Sequence, residues 1–189
     1  MSFFRSAVAV TTLVAGVAFG AAAPATATVG GTHASRAAAP VTAAPAPPSL
    51  TGIAYLNTQV DLPPGVRTDI PVAVNLPWPG TYQLDANVRG RLAGLSPVNA
   101  FITARLWDAT SGVAVANSER LVYQVIGDAG TGHASGNATA PINEVIHVNG
   151  PTTIRLQAMR IDATGSATIA QIYSDTAGFT SLRYTWVSP

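Results

Sequence analysis

Hydrophobic and polar residues alternate with a period of two over residues 80–92. An alternation of this period places successive side chains on opposite faces of an extended strand. The pattern therefore predicts a half-buried antiparallel strand. Its inward face carries Tyr82, Leu84, Ala86, Val88 and Leu92.

The same alternation recurs in four further runs. The residues that it turns inward are Ile70, Val72, Val74 and Leu76, then Leu121, Tyr123 and Val125, then Ile154, Leu156 and Ala158, and last Leu182, Tyr184 and Trp186. Turn-forming Gly, Pro, Asn and Asp separate the runs, as in 62–65, 76–80 and 149–151. Eight or nine short strands without a long helical window predict an all-β fold, an antiparallel β-sandwich of the jelly-roll type, with helix close to absent.

The run 99–108 is apolar on both faces. Ile102, Ala104 and Leu106 form one face, whereas the other carries Phe101, Arg105 and Trp107. A monomeric sandwich would leave these two aromatic side chains in water. A neighbouring subunit, a bound glycan or a loop of the same chain would cover them. We therefore expect Phe101, Arg105 and Trp107 to lie at a ligand-binding site or an oligomer interface.

The N-terminal region is predicted to be a targeting segment followed by a tether. Arg5 precedes an apolar stretch, and small residues at Ala25 and Ala27 suit a signal peptidase, so residues 1–27 are expected to be a signal peptide and the protein to be secreted. Residues 28–50 are rich in Ala and Pro without apolar periodicity, which predicts a disordered tether. The jelly-roll domain then spans residues 51–189, and no later segment is long enough to span a membrane.

The composition argues against disulfide bonds and against nucleic acid as a partner. The chain has no cysteine, so an exported form would have no disulfide bonds. Ten Arg and nine acidic residues give a net charge of +1, and without Arg5 and Arg36 the predicted domain has one negative charge in excess. Such a domain offers no basic stripe for phosphate backbones, which argues against nucleic-acid binding.

Three loops combine Asp with Gly, at 107–112, 160–169 and 174–178. Calcium takes six to eight oxygen ligands, and each of these loops offers one carboxylate. An Asp side chain that accepts from the following backbone, with a Gly that tolerates positive φ, instead forms a tight turn. We therefore interpret the loops as turns and expect no metal, although loops of different chains could pool their carboxylates.

No catalytic constellation emerges from the sequence. Asp128, His133 and Ser135 have the residue types of a triad, but they lie within the Gly-rich segment 127–139, which we interpret as a long hairpin loop. His147 is a lone strand histidine on the face opposite Ile146 and Val148, so we interpret it as a surface or interface residue rather than a ligand. The sequence thus predicts no enzyme and no cofactor.

The segment 79–88, PGTYQLDANV, resembles the central strand of the trimeric jelly rolls that include tumour necrosis factor and the complement globular head. A Gly-x-Tyr-x-aromatic run opens that strand; Gly80 and Tyr82 match it, and Leu84 replaces the aromatic residue. The strand pattern is also similar to jelly-roll domains at phage-fibre tips and on bacterial surface proteins. The resemblance implies an adhesive or receptor-binding head, often a homotrimer. Residues 28–50 lack collagen-like and heptad repeats, so trimerisation would have to come from the head itself.

Three functional hypotheses follow. The first is a secreted, non-enzymatic head that self-associates and binds a surface ligand, in adhesion or in envelope structure. The second is a monomeric carbohydrate-binding sandwich that uses exposed aromatic side chains to stack on sugars. The third, a jelly-roll hydrolase or lyase, lacks an acid–base pair that the sequence can nominate.

Overall fold

The computed structural model describes residues 50–130 and 132–189. The predicted signal peptide and, apart from Leu50, the predicted tether lie outside these residues. Eleven strands follow one another in chain order: β1 (Thr51–Tyr55), β2 (Val60–Asp61), β3 (Arg67–Leu76), β4 (Gly80–Leu95), β5 (Val98–Asp108), β6 (Val113–Ala114), β7 (Arg120–Gly127), β8 (His133–Val148), β9 (Thr152–Thr164), β10 (Ala167–Ile172) and β11 (Ser181–Ser188). Within the described part of the chain, no helix is long and apolar enough to cross a membrane.

The strands form two antiparallel sheets. In sheet A, β8 pairs with β4 along its whole length, and the other side of β4 pairs with β11 and then with β10; β1 and β2 continue the sheet outward. In sheet B, β9 lies between β3 and β5, and β5 also pairs with β7 and β6. The predicted all-β, antiparallel sandwich of the jelly-roll class is thus confirmed.

The core lies between the two sheets and follows the predicted alternation. The predicted inward residues of β3, β4 and β9 are all buried, and so are Ile102, Ala104 and Leu106 of β5. Burying one large apolar side chain contributes roughly 1.5–3 kcal/mol. Because no disulfide bond is available to the chain, this core is the main source of stability.

The loop between β3 and β4 is held from within the core. Tyr82 is fully buried, and its hydroxyl accepts a hydrogen bond from the backbone N–H of Trp78 (3.1 Å) and donates one to the carbonyl of the same residue (3.0 Å). The ring of Tyr184 packs edge-on against Tyr82 at 5.8 Å. These contacts give Tyr82 a structural role at the start of β4, and Gly80 has one of its own, since its φ is +136° and a Cβ there would lie 2.5 Å from the Ser188 carbonyl oxygen.

Two predictions of local structure are wrong. In β7 the predicted inward residues Tyr123 and Val125 do face the core, but Leu121 is exposed and Val122 is buried, because a bulge opposite Ile102 and Thr103 changes the parity. The predicted loop 127–139 is largely strand, because β8 begins at His133 and pairs with residues 89–95 of β4. Gly136 serves close packing here, since a Cβ at this position would lie 2.1 Å from the hydroxyl of Tyr123.

Strand β8 is the longest edge strand of sheet A, since among the described residues it pairs only with β4. Its ladder with β4 runs through Pro141 without a register shift. Since proline has no N–H, the nitrogen of Pro141 must lie on the side that faces away from β4.

The Asp-Gly loops form turns through their carboxylates. Asp108 Oδ1 accepts from the backbone N–H groups of Thr110 (2.9 Å) and Ser111 (3.1 Å), and Asp175 Oδ1 accepts from Ala177 (2.8 Å). Asp162 makes a paired contact with the Arg160 guanidinium at 2.9 and 2.6 Å. Each carboxylate is therefore engaged by neighbouring residues of its own loop or strand.

Candidate functional site

The outer face of sheet B carries an apolar patch formed by Phe101, Leu121, Ile126 and Ile161. Phe101 lies at its centre, directly opposite Ile161 on β9. Leu121 and Ile126 lie diagonally across on β7, and they are 55% and 66% exposed. Phe101 and Ile161 are partly buried by their neighbours. Gln124, which donates to Asn99, lies opposite Phe101 between the two β7 residues. This end of the face therefore carries more apolar side chains than the outer face of a sandwich normally does.

The other half of this face is polar and hydrogen-bonded. Gln157 of β9 lies at its centre: its amide nitrogen donates to Asp69 Oδ1 (2.8 Å) and its oxygen accepts from Arg105 Nε (3.0 Å). Asp69 also pairs with Arg155. Arg67 reaches across to Glu119 at 2.9 Å. Side chains from three strands and the segment before β7 therefore fix one another in place.

Arg105 is positioned by neutral groups. Besides the Gln157 oxygen, its guanidinium lies 4.8 Å from the centre of the Trp107 ring. Among the described residues it has no carboxylate within ion-pair distance, since Glu119 pairs with Arg67. The guanidinium also covers one face of Trp107, and that face is not available for stacking on a sugar.

A surface pocket of about 490 Å³ opens beside this guanidinium. The Arg105 pocket is lined by Arg105 and residues 114–120. Its wall is rigid, because the buried Ser118 hydroxyl accepts from Leu106 N–H (3.0 Å) and donates to the Val115 carbonyl (2.8 Å). Asn117 has a φ of 59°, a left-handed conformation that few residues other than Gly and Asn adopt readily.

Both carboxylates around Arg105 are held in their charged form. The hydrogen bond from Gln157 is the largest effect that lowers the pKa of Asp69, and the hydrogen bond and charge of Arg155 add to it against the opposing effect of burial. Burial would raise the pKa of Glu119, but the hydrogen bond from Arg67 and the charges of Arg67 and Arg105 lower it. Both carboxylates are therefore ionised at neutral pH.

His147 lies apart from Phe101, Arg105 and Trp107. It projects from the exposed face of β8 in sheet A, opposite Thr81, whose hydroxyl is 3.4 Å from Nδ1. A second pocket, of about 340 Å³, contains His147 together with Asp108 and residues 149–152. The structure thus brings together three of the four expected site residues and places His147 at a different surface.

Two of the residues considered for catalysis lie on the same strand face. His133 and Ser135 are exposed on the outward face of β8. Among residues 50–130 and 132–189, no group of three or more His, Asp or Glu side chains lies close enough together to hold a metal ion.

Sequence reasoning missed an exposed aromatic pair on the sheet A side. Tyr55, on the edge strand β1, and Phe179 lie with ring centres 6.0 Å apart and edge to face. They are 49% and 57% exposed and line a shallow depression of about 310 Å³ with Asn57. Phe179 lies in a loop without periodicity, so only its pairing with Tyr55 in space identifies this surface.

Comparison with solved structures finds distant viral likenesses. No protein-family model matches the chain, and no curated protein matches its sequence. A structure of infectious bursal disease virus, Gt strain, is 18% identical with a TM-score of 0.41 and covers 72% of this chain and 31% of that chain. The Gx strain gives 17% identity, a TM-score of 0.43 and coverages of 72% and 32%. This chain thus spans about a third of the length of those viral proteins, and its fold rests on its own strand pairing.

Proposed function

We propose that this chain is a secreted, non-enzymatic jelly-roll head that self-associates through the apolar patch on sheet B and binds a ligand beside it. The observation that carries the proposal is the exposure of Leu121 and Ile126 next to Phe101 and Ile161 on an outward sheet face. Apolar side chains grouped on such a face are typical of surfaces that bind a partner. Export through residues 1–27 and a role in adhesion or envelope structure belong to the same proposal.

A second copy of the chain is the partner that we favour. The patch has no charged member, and residues 50–189 have nearly balanced charge, so two copies would not repel each other strongly. In a symmetric assembly every subunit buries its own Phe101. Burying one such side chain contributes roughly 1.5–3 kcal/mol to the free energy of association. The resemblance to trimeric jelly rolls makes the trimer the first oligomeric state to test.

The test is the solution mass of the full chain and of Phe101→Asp by light scattering. We expect the unchanged protein to give a multiple of the chain mass and Phe101→Asp to give a folded monomer, because a charge at the centre of the patch cannot be buried unpaired. Val145→Asp is the matched control. Val145 is equally apolar and 68% exposed, but it lies on sheet A. A monomeric mass for the unchanged protein would refute self-association.

The alternative is a monomeric carbohydrate-binding module, and the Tyr55–Phe179 pair favours it. Two half-exposed rings beside the Asn57 amide offer stacking and hydrogen bonding to a sugar. This alternative requires a monomeric mass together with glycan binding that Phe179→Ala abolishes and Phe101→Asp leaves unchanged.

A further inference from the structure

The Arg105 pocket has the features of a site for a negatively charged ligand. Its charged lining residues are Arg105, Arg120 and Glu119; behind them, Arg67 pairs with Glu119 and Glu144 pairs with Arg120. The ion pairs Arg67–Glu119 (2.9 Å) and Arg120–Glu144 (2.8 Å) account for all of these charges except that of Arg105. The pocket therefore has one uncompensated positive charge.

That charge is held in a fixed position. Gln157 and the Trp107 ring contact Arg105 without neutralising it, and Asp69 fixes the Gln157 amide with its oxygen towards Arg105. Only Nε of Arg105 donates within this network, so both terminal nitrogens remain for a ligand. The two parallel N–H groups of a guanidinium match the two oxygens of a carboxylate.

The pocket wall suits a saccharide. Ala114, Val115 and Ala116 offer apolar contact, whereas the Asn117 amide and the loop backbone offer hydrogen bonds, and a sugar ring has the same mixture of C–H faces and hydroxyls. A volume of about 490 Å³ lies in the usual range for small-ligand sites. A peptide would instead need a strand edge or a deep apolar anchor pocket, and this wall is a compact loop.

We propose that the Arg105 pocket binds an acidic saccharide, with the carboxylate of a uronic acid paired to the terminal nitrogens of Arg105. The inference rests on the ligand-binding part of the proposed function. Leu121 of the apolar patch directly follows the pocket residue Arg120, so self-association is measured separately.

The experiment is calorimetric titration of the full chain with trigalacturonate and with its methyl ester. We expect the acid to bind, added salt to weaken binding, and the ester to bind about tenfold or more weakly, since it loses the charge-assisted pair. Arg105→Gln should lose a similar factor. Arg105→Lys keeps the positive charge but loses the two parallel N–H groups, so it should lose part of the affinity. It replaces Arg105→Gln in the test if the glutamine variant does not fold.

Arg91→Gln is the matched control. Arg91 is likewise held by glutamine oxygens, of Gln171 and Gln59, and lies 5.0 Å from the Tyr173 ring, but on sheet A. It should bind trigalacturonate as the unchanged protein does. The proposal would be overturned if trigalacturonate did not bind or if its methyl ester bound equally well. It would also be overturned if Arg91→Gln lost as much affinity as the Arg105 variants, or if both Arg105 variants bound like the unchanged protein. Equal affinity for triglutamate would overturn its saccharide part. Light scattering on the same samples reports self-association separately.

Discussion

At the scale of single residues, Asp162 shows how one carboxylate can serve both a turn and the core. Arg160 is buried, with 8% of its surface exposed, and its guanidinium is paired with Asp162. Ser166 and the backbone N–H of Ala167 also donate to this carboxylate, at 3.1 and 3.4 Å. The hydrogen bond from Arg160 is the largest cause of a pKa of Asp162 below its ordinary value, and burial opposes it.

We therefore expect Asp162→Asn to lower the free energy of unfolding by about 1.5–3 kcal/mol at pH 7, because it leaves a buried guanidinium without its charged partner. A lowered pKa in the folded state gives stability that is complete above the unfolded value, about 3.9, and is lost as the pH falls through the folded pKa. Urea unfolding from pH 7 to pH 2.5 should show the gap between the two proteins closing at the acidic end. A constant gap would contradict this account.

At the scale of elements, alternation predicts a strand well where one face is buried and the ladder is regular. It predicts the inward residues of β3, β4, β5 and β9 for this reason. It fails at the start of β7, where the bulge at Val122 exchanges the two faces and leaves no mark in the sequence, and it holds beyond the bulge for Tyr123 and Val125. It fails in the first half of β8, because Ala134, Gly136 and Ala138 are too small to give a hydrophobic period.

Only part of the candidate site can be predicted from the sequence. Phe101 and Trp107 stand out because they are aromatic on the polar face of one strand. Arg67, Glu119 and Gln157 do not, since they lie 14 to 52 residues from Arg105 along the chain and only the pairing of β3, β9 and β5 brings them to it.

The turns separate two effects of glycine that a sequence cannot distinguish. Gly112 and Gly165 both have positive φ, of 72° and 63°. A Cβ at Gly165 would lie 2.3 Å from the Pro97 carbonyl oxygen, whereas a Cβ at Gly112 would have no described atom within 4 Å. Gly112→Ala should cost about 1–2 kcal/mol from backbone strain alone. Gly165→Ala should cost about 1–3 kcal/mol more, because a backbone oxygen must move. Equal urea midpoints for the two variants would refute the steric distinction.

At the scale of the whole molecule, the described residues belong to one compact unit with its own core. Stability should therefore not depend on the predicted tether. A chain that begins at Ser49 should melt within a few degrees of one that begins at Thr28, as measured by circular dichroism. A large drop in melting temperature would show that residues 28–48 pack on the sandwich.

The position of Pro141 has a consequence for the protein at high concentration. A sixteen-residue edge strand can pair with strands of further chains. Fibril growth by such pairing uses the backbone N–H and C=O groups along that edge. Pro141 removes one donor near the middle of that row. We therefore expect this edge to template cross-β addition less well than an unbroken strand of the same length.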